Sequence, residues 1–407
     1  MDRQPYSTPP RHWAPQMSPV WVRLCRPMRR RVLKKQQRMV QIDVDGNERL
    51  RELLDDNAGI LITPNHSFHY DSFVLWEAAH KVGRPFHFMA AWQVFALSSR
   101  LERWWLQKHG CFSINREAND MQAFRQAVRI LQESMYPLVI FPEGEIYHIN
   151  DRTTPFREGA AAIALSAARK SKRPIYCVPT ALKCWYLEDP TPELHALLDQ
   201  LEDRLTWRPS RALSLTQRVY RVAEGLVSLK EIEYLGYTRS GTVQDRCGFL
   251  VNEILAQQQD RYQMGNSDLP IPERVKELRR LLIELVEDPK ADDEKKATAR
   301  TDMEDLHLVV QLFSYPGDYM SETMSIERIA ETLDKLEEDL LQRPVPTARG
   351  TRRVAVRFGE PIPLPTEKQK RTAVVEWTHY LQGEVQGLLD SMNAEHNGAR
   401  SLVKVES

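Results

Sequence analysis

In Asn65-His66-Ser67-Phe68-His69-Tyr70-Asp71 a histidine is followed five residues later by an aspartate, so one turn of chain can bring the carboxylate back to the imidazole. A carboxylate so placed fixes the ring tautomer and stabilises the imidazolium that forms when the other nitrogen takes a proton. That arrangement makes histidine a general base. The same spacing also suits an aspartate that only caps a helix, because short motifs recur by chance. Three further segments gather chemically useful residues. Gly110-Cys111-Phe112-Ser113-Ile114-Asn115-Arg116 reads as a tight turn and a short strand that ends in a cation. Phe141-Pro142-Glu143-Gly144 ends a buried strand in a charged loop, where Gly144 lets backbone N–H groups approach an oxyanion or a phosphate. Val178-Pro179-Thr180-Ala181 stands at the end of another strand. Taken singly, Arg116 also reads as a surface ion-pair partner and Glu143 as a helix cap.

The elements that must position these residues alternate β-like and helical segments over residues 40 to 190, which predicts an α/β layer architecture. Gly59 to Thr63 and Leu138 to Phe141 are short apolar runs closed by Pro64 and Pro142, as buried strands are, and Ile175 to Val178 is another, closed by Pro179. Met121, Phe124, Val128, Leu131 and Met135 mark one face of a helix between them. From Thr191 the texture changes to long charged helices. Thr191-Pro192 starts one with Leu194, Leu197, Leu198, Leu201 and Leu205 on a face, and Ser325 starts another through Ile326, Ile329, Leu333, Leu336 and Leu340. Asp288 to Arg300 is charge-rich and reads as an exposed linker or solvated turn. Val354, Val356 and Phe358 alternate before Gly359 and Pro361, a strand returning to the sheet. The chain thus divides into a basic arm (1–41), an α/β domain carrying the motifs (42–190), a helical insertion (191–350) and a closing strand with a C-terminal helix (351–407).

The four segments, in this order, resemble the signature of the 1-acylglycerol-3-phosphate (glycerolipid) acyltransferase family: NHxxxxD, GxxxxxR, FPEG and a V/I-Pro segment. The resemblance covers about residues 40 to 190, and Val356-Arg357-Phe358-Gly359-Glu360-Pro361-Ile362 looks like the strand that closes the family's domain. It implies a mixed sheet flanked by helices, in which His66 deprotonates an acceptor hydroxyl, Asp71 orients it, and the hydroxyl attacks an acyl-CoA or acyl-carrier-protein thioester. It also implies that Arg116 and Glu143 bind the acceptor, with Phe141, Pro142 and Gly144 shaping the loop. The family continues FPEG with Thr and Arg, whereas this chain has Glu145, Ile146 and Tyr147; Arg152 or Arg157 is the cation at hand to substitute. A catalytically silent lipid-binding or scaffold protein on the same fold is the alternative, which the intact His66 and Asp71 oppose.

Composition narrows the partners. The 407 residues carry no net charge, yet residues 1 to 41 hold ten Lys or Arg against one acid, Asp2. A basic arm favours an anionic partner, either a membrane surface or a nucleic acid. Its apolar residues Val20, Trp21, Leu24, Met28, Val32 and Leu33 recur at helical spacing, as in a helix that lies in a bilayer interface or one that packs its stripe on the main domain. Pro5, Pro9, Pro10, Pro15 and Pro19 predict a mobile leader, with order starting near Val20. No apolar run approaches the ~20 residues of a membrane span, and Pro and Arg interrupt the N-terminal residues where a signal peptide's apolar h-region would lie. The expected location is cytoplasmic, peripheral on the membrane face. His66, His69 and Asp71 lack the further ligands a metal site needs, five scattered cysteines show no CxxC spacing, and GxSxG is missing. No metal and no cofactor beyond the thioester cosubstrate is expected, and nucleic-acid binding rests on the arm alone.

Overall fold

The computed structural model describes residues 6–265, 269–315, 325–370 and 372–405. The chain divides into an α/β unit, made of Pro10–Asn115, Asp120–Asp189 and the residues from Thr347 onward, and a helical unit, made of Pro190–Pro346 with Arg116–Asn119 and the chain up to Pro9.

The α/β unit opens with α1 (Pro19–Leu24) and α2 (Arg26–Arg31), which lead through one turn of π-helix at Val32–Gln36 into β1 (Met39–Asp45). Pro27 falls in the first turn of α2, where its missing N–H leaves no helical bond unmade, and the helix breaks just before it at Cys25. There follow α3 (Asn47–Asp55), β2 (Gly59–Pro64), α4 (Asp71–Val82), β3 (His87–Ala91), α5 (Trp92–Leu97), α6 (Arg100–Lys108), β4 (Cys111–Ile114), α7 (Met121–Glu133), β5 (Leu138–Val139), α8 (Gly159–Lys170) and β6 (Ile175–Tyr186). The helical unit supplies α9 (Thr191–Thr206), α10 (Leu215–Leu235), α11 (Val243–Arg261), α12 (Ile271–Glu287), α13 (Asp293–Phe313) and α14 (Ile326–Leu341). The chain then returns through β7 (Arg352–Phe358), β8 (Ile362–Pro363) and α15 (Ala373–Val405).

Among the described residues the strands form one eight-stranded mixed sheet in the order β1-β7-β6-β2-β5-β3-β4, with β8 beside β6. The ladders β6-β2, β2-β5, β5-β3, β3-β4 and β1-β7 are parallel, whereas β6 runs antiparallel to β7 and β8. Side chains alternate across β2. Ile60 and Ile62 join a core with Leu50 of α3 and Val74 and Trp76 of α4, while Leu61 joins one with Ala127 and Leu131 of α7 and Ala164 of α8. A strand covered on both faces needs an unbroken apolar run, and each such side chain contributes about 1.5–3 kcal/mol of burial. The helical unit has its own core, in which Leu250, Leu278, Leu282 and Leu306 are fully buried.

Four expectations change. The proline-rich stretch is ordered from residue 6 in the described chain: Trp13 is buried and stacked on Phe95 at 5.5 Å, its backbone N–H donates to Ser113 Oγ at 2.8 Å, and the Gln16 and Ser18 amides donate to the Gln107 and Lys108 carbonyls. Prolines forbid a helix but not an extended strap, and one buried Trp offsets its ordering; residues 1–5 of the leader lie outside the described residues. Pro179 does not close β6 but sits within it, opposite Thr63, at the point where the strand's partners change from β8 to β7. On α7 the buried positions are Ala123, Ala127, Ile130 and Leu131, whereas Met121 is exposed and Met135, also exposed, lies beyond the helix end at Glu133. The charged stretch 288–300 contains the start of α13: Asp292 accepts from Lys295 N at 2.7 Å as a helix cap, and Ala299 is buried among otherwise solvated charges.

Candidate active site

The chain leaves the sheet at Pro64, and side chains take over from the ladder. Asn65 Oδ1 accepts from Leu182 N at 2.7 Å while its Nδ2 donates to Leu182 O at 3.0 Å and to Ser67 Oγ at 2.9 Å. Asn150 does the same two residues along β6, with Oδ1 accepting from Cys184 N at 2.9 Å and Nδ2 donating to Cys184 O at 2.7 Å. Ser67 Oγ donates to Ile149 O at 2.8 Å and so ties the two loops together. Beneath them the buried Lys183 pairs with Asp151 and donates to Asn150 O.

Within this frame His66 Nδ1 lies 2.9 Å from Asp71 Oδ2, and the same oxygen accepts from Ser67 N at 2.8 Å and Phe68 N at 2.9 Å. Asp71 is the first residue of α4, yet the amides it holds precede the helix, so it closes the histidine loop and does not cap α4. With an ionised carboxylate at Nδ1, the contact assigns the ring proton to Nδ1 and the lone pair to Nε2. The imidazole is stacked on Phe141 with ring centroids 4.0 Å apart and is 17% exposed, whereas Asp71 is 2% exposed.

Glu143 joins the FPEG loop to the histidine. Its Oε1 accepts from His66 N at 2.8 Å, and its Oε2 accepts from Thr154 N at 3.0 Å and from the Thr154 hydroxyl. Burial pushes this carboxyl up to about 7, against the lowering by those three donors, and the nearby Asp71 charge adds to the rise. Gly144 has φ +78° and its N–H closes a turn on Phe141 O at 3.2 Å. A Cβ there would lie 2.6 Å from Arg157 Nε, so the Arg157 guanidinium packs directly on this glycine. Pro142 O in turn accepts from Arg157 N at 2.8 Å.

His66, Asp71, Phe141, Pro142, Glu143 and Gly144 therefore assemble in the α/β unit. Arg116 lies in the Arg116–Asn119 loop that belongs to the helical unit, where its neighbour Glu117 forms a buried ion pair with Arg279 at 3.5 Å. Sequence reasoning missed Thr154 and gave no role to Asn65, Asn150 or Lys183. Asn65 stood inside the quoted motif and offered a signal; Thr154 follows Glu143 by eleven residues in an irregular loop and offered none.

An imidazole with one nitrogen fixed by a buried carboxylate and the other holding a lone pair can accept a proton from a hydroxyl. In agreement, residues 41–183 match the Acyltransferase family. A 1-acyl-sn-glycerol-3-phosphate acyltransferase of Streptococcus pneumoniae (strain ATCC BAA-255 / R6) is 30% identical over 128 residues, which make up 31% of this chain. The match spans 45% of that curated relative, less than half of its length.

Proposed function

We propose that the chain moves a fatty acyl group from acyl-CoA or an acyl-carrier protein to a hydroxyl of a lysophospholipid or another glycerolipid. His66 Nε2 takes the acceptor's hydroxyl proton as the oxygen bonds to the thioester carbonyl carbon; the C–S bond then breaks and the thiolate leaves with the proton from the imidazolium. Asp71 holds the ring and carries the charge that stabilises the imidazolium. The observation that supports this most is the Asp71 carboxylate, fixed by two backbone amides and aimed at His66 Nδ1 from 2.9 Å. Glu143 fixes the His66 backbone, and Arg157 beside Gly144 supplies a cation where Ile146 has replaced the family's. Such a cation suits a phosphate on the acceptor, and the streptococcal relative's name makes 1-acyl-sn-glycerol-3-phosphate the first acceptor to test.

The same reading places the chain on a membrane surface. No helix among the described residues is long and apolar enough to cross a bilayer. On the N-terminal helices Val20, Trp21, Leu24 and Met28 are exposed, while Val22 and Arg29 are buried. Arg29 Nη1 lies 2.8 Å from His109 Nε2, and burial pushes His109 down to about 4, so the guanidinium meets a neutral ring whose Nδ1 faces Trp105 O at 2.8 Å. An apolar stripe turned outward beside basic residues supports interfacial binding.

The test is thiol release from acyl-CoA by His66→Ala, with lysophosphatidic acid and a zwitterionic lysophospholipid as acceptors. Turnover should fall by roughly 10²–10⁴-fold with the melting temperature unchanged. A variant that kept more than about a tenth of wild-type turnover would remove His66 as the base.

A further inference from the structure

A cavity of about 490 Å³ opens in the α/β unit away from His66, in the size range of sites for small ligands. Its wall is α2 and the π-turn that follows, with Lys81 near the end of α4. Lys81 stands ten residues beyond Asp71 on that helix, about 15 Å along its axis. Six cations line it, namely Arg26, Arg30, Arg31, Lys34, Lys35 and Lys81, against one carboxylate, Glu77. That carboxylate is already engaged, by Arg26 at 3.1 Å and Arg30 at 3.8 Å. Among the described residues Arg31, Lys34, Lys35 and Lys81 have no carboxylate partner. The inner lining is apolar: Leu33, Met39 and Val44 are buried and Ile42 is partly so. The buried Arg29, held by His109 and lying over Trp76 at 5.6 Å, pins the opposite face of α2, so the basic residues stay on the cavity side.

We infer that this cavity seats the phosphate-bearing headgroup of an anionic phospholipid of the bilayer, as a docking site separate from the acyl-transfer centre. A free polyphosphate would use the cations but not the apolar lining. A lipid uses both, and the exposed Val20, Trp21, Leu24 and Met28 continue the apolar surface on the same pair of helices. Several unpaired cations around one concavity distinguish a headgroup site from a diffuse basic patch, whose attraction depends only on total charge near the surface. The inference rests on the membrane reading above, and it adds a specific place and lipid chemistry.

The experiment is cosedimentation of the full chain with phosphatidylcholine vesicles, with and without phosphatidylglycerol. The combined variant Arg31→Gln, Lys34→Gln, Lys35→Gln is compared with a control of equal charge change outside the cavity, Arg11→Gln, Arg23→Gln, Lys108→Gln. The cavity variant should lose roughly tenfold or more in affinity for the phosphatidylglycerol vesicles, and the control no more than about threefold. Neutral vesicles should bind wild type and both variants alike, and thiol release in detergent micelles should be unchanged. Equal losses in the two variants, or no loss in the cavity variant, overturn the site while leaving membrane binding intact. A wild-type chain that binds neither vesicle overturns the membrane reading and the site together.

Discussion

Replacing Asp71 by asparagine separates the carboxylate's charge from its geometry. Oδ2 faces three donors, His66 Nδ1 at 2.9 Å, Ser67 N at 2.8 Å and Phe68 N at 2.9 Å. An asparagine could present either its oxygen or its NH₂ group there, but NH₂ would confront two backbone N–H groups that cannot turn away. The amide oxygen takes the place, Nδ1–H keeps its acceptor, and the tautomer survives. What disappears is a negative charge about 4 Å from the imidazolium, worth about 4 kcal/mol at an effective dielectric of ~20. His66 is part-exposed, and solvent screening reduces this to roughly 2–3 kcal/mol, or about a hundredfold in turnover. Asp71→Ala differs, because it leaves the same donors facing a hole where only 2% of Asp71 is exposed. Each unsatisfied group costs about 1–3 kcal/mol, so alanine should lower the melting temperature well below that of asparagine. Thiol release and thermal melting on the two purified variants read both quantities. An asparagine variant within about fivefold of wild type, or two variants of equal stability, would refute the assignment of Asp71 to charge and loop closure.

Glu143 makes a pH prediction: burial raises its carboxyl from 4.5 to about 7, so the stability contributed by its neutral form is complete below about pH 4.5 and is lost as pH rises through about 7. The unfolding free energy of wild type relative to the non-titrating Glu143→Gln should therefore fall by about 3 kcal/mol between pH 4.5 and 8, and a flat difference would contradict the raised carboxyl. Gly144→Ala puts a Cβ 2.6 Å from Arg157 Nε on a backbone with φ +78°, which should cost about 1–3 kcal/mol in unfolding measurements. Arg157→Gln should reduce the kcat/KM preference for lysophosphatidic acid over a zwitterionic lysophospholipid by about tenfold with little change in melting; an unchanged ratio would exclude Arg157 from acceptor recognition.

The parts of the fold legible in the sequence are those where one local rule decides. β2 was visible because both its faces are buried, which demands an unbroken apolar run. α9 was visible because Leu194, Leu197, Leu198 and Leu201 repeat at helical spacing, and all four are buried. β6 was seen only to Val178, since a proline usually ends a strand and nothing local shows that Pro179 falls where the ladder changes partners. The His66 and Asp71 spacing was legible, but Asp71's two backbone amides were not, because the turn that delivers them is made by loop geometry. Long-range pairs such as Glu143 with Thr154, or Arg29 with His109, leave no periodic trace at all. Which residues of α1 and α2 turn inward was not legible either, since Arg29 is buried while Val20, Trp21, Leu24 and Met28 are exposed.

Beyond Thr180 the edge of β6 that faced β2 has no strand beside it among the described residues, because the β2 ladder ends at Pro64. A bare edge of this kind is a template on which a foreign backbone can dock and begin an aggregate. Here the amides of Asn65 and Asn150 meet Leu182 and Cys184 with one donated and one accepted bond each, as a neighbouring strand would. A chain segment could fill that edge only by running straight on, and would then have no freedom to curl into the loop that carries His66. Two side chains close the edge against strangers and release the backbone of residues 65 to 71 to turn.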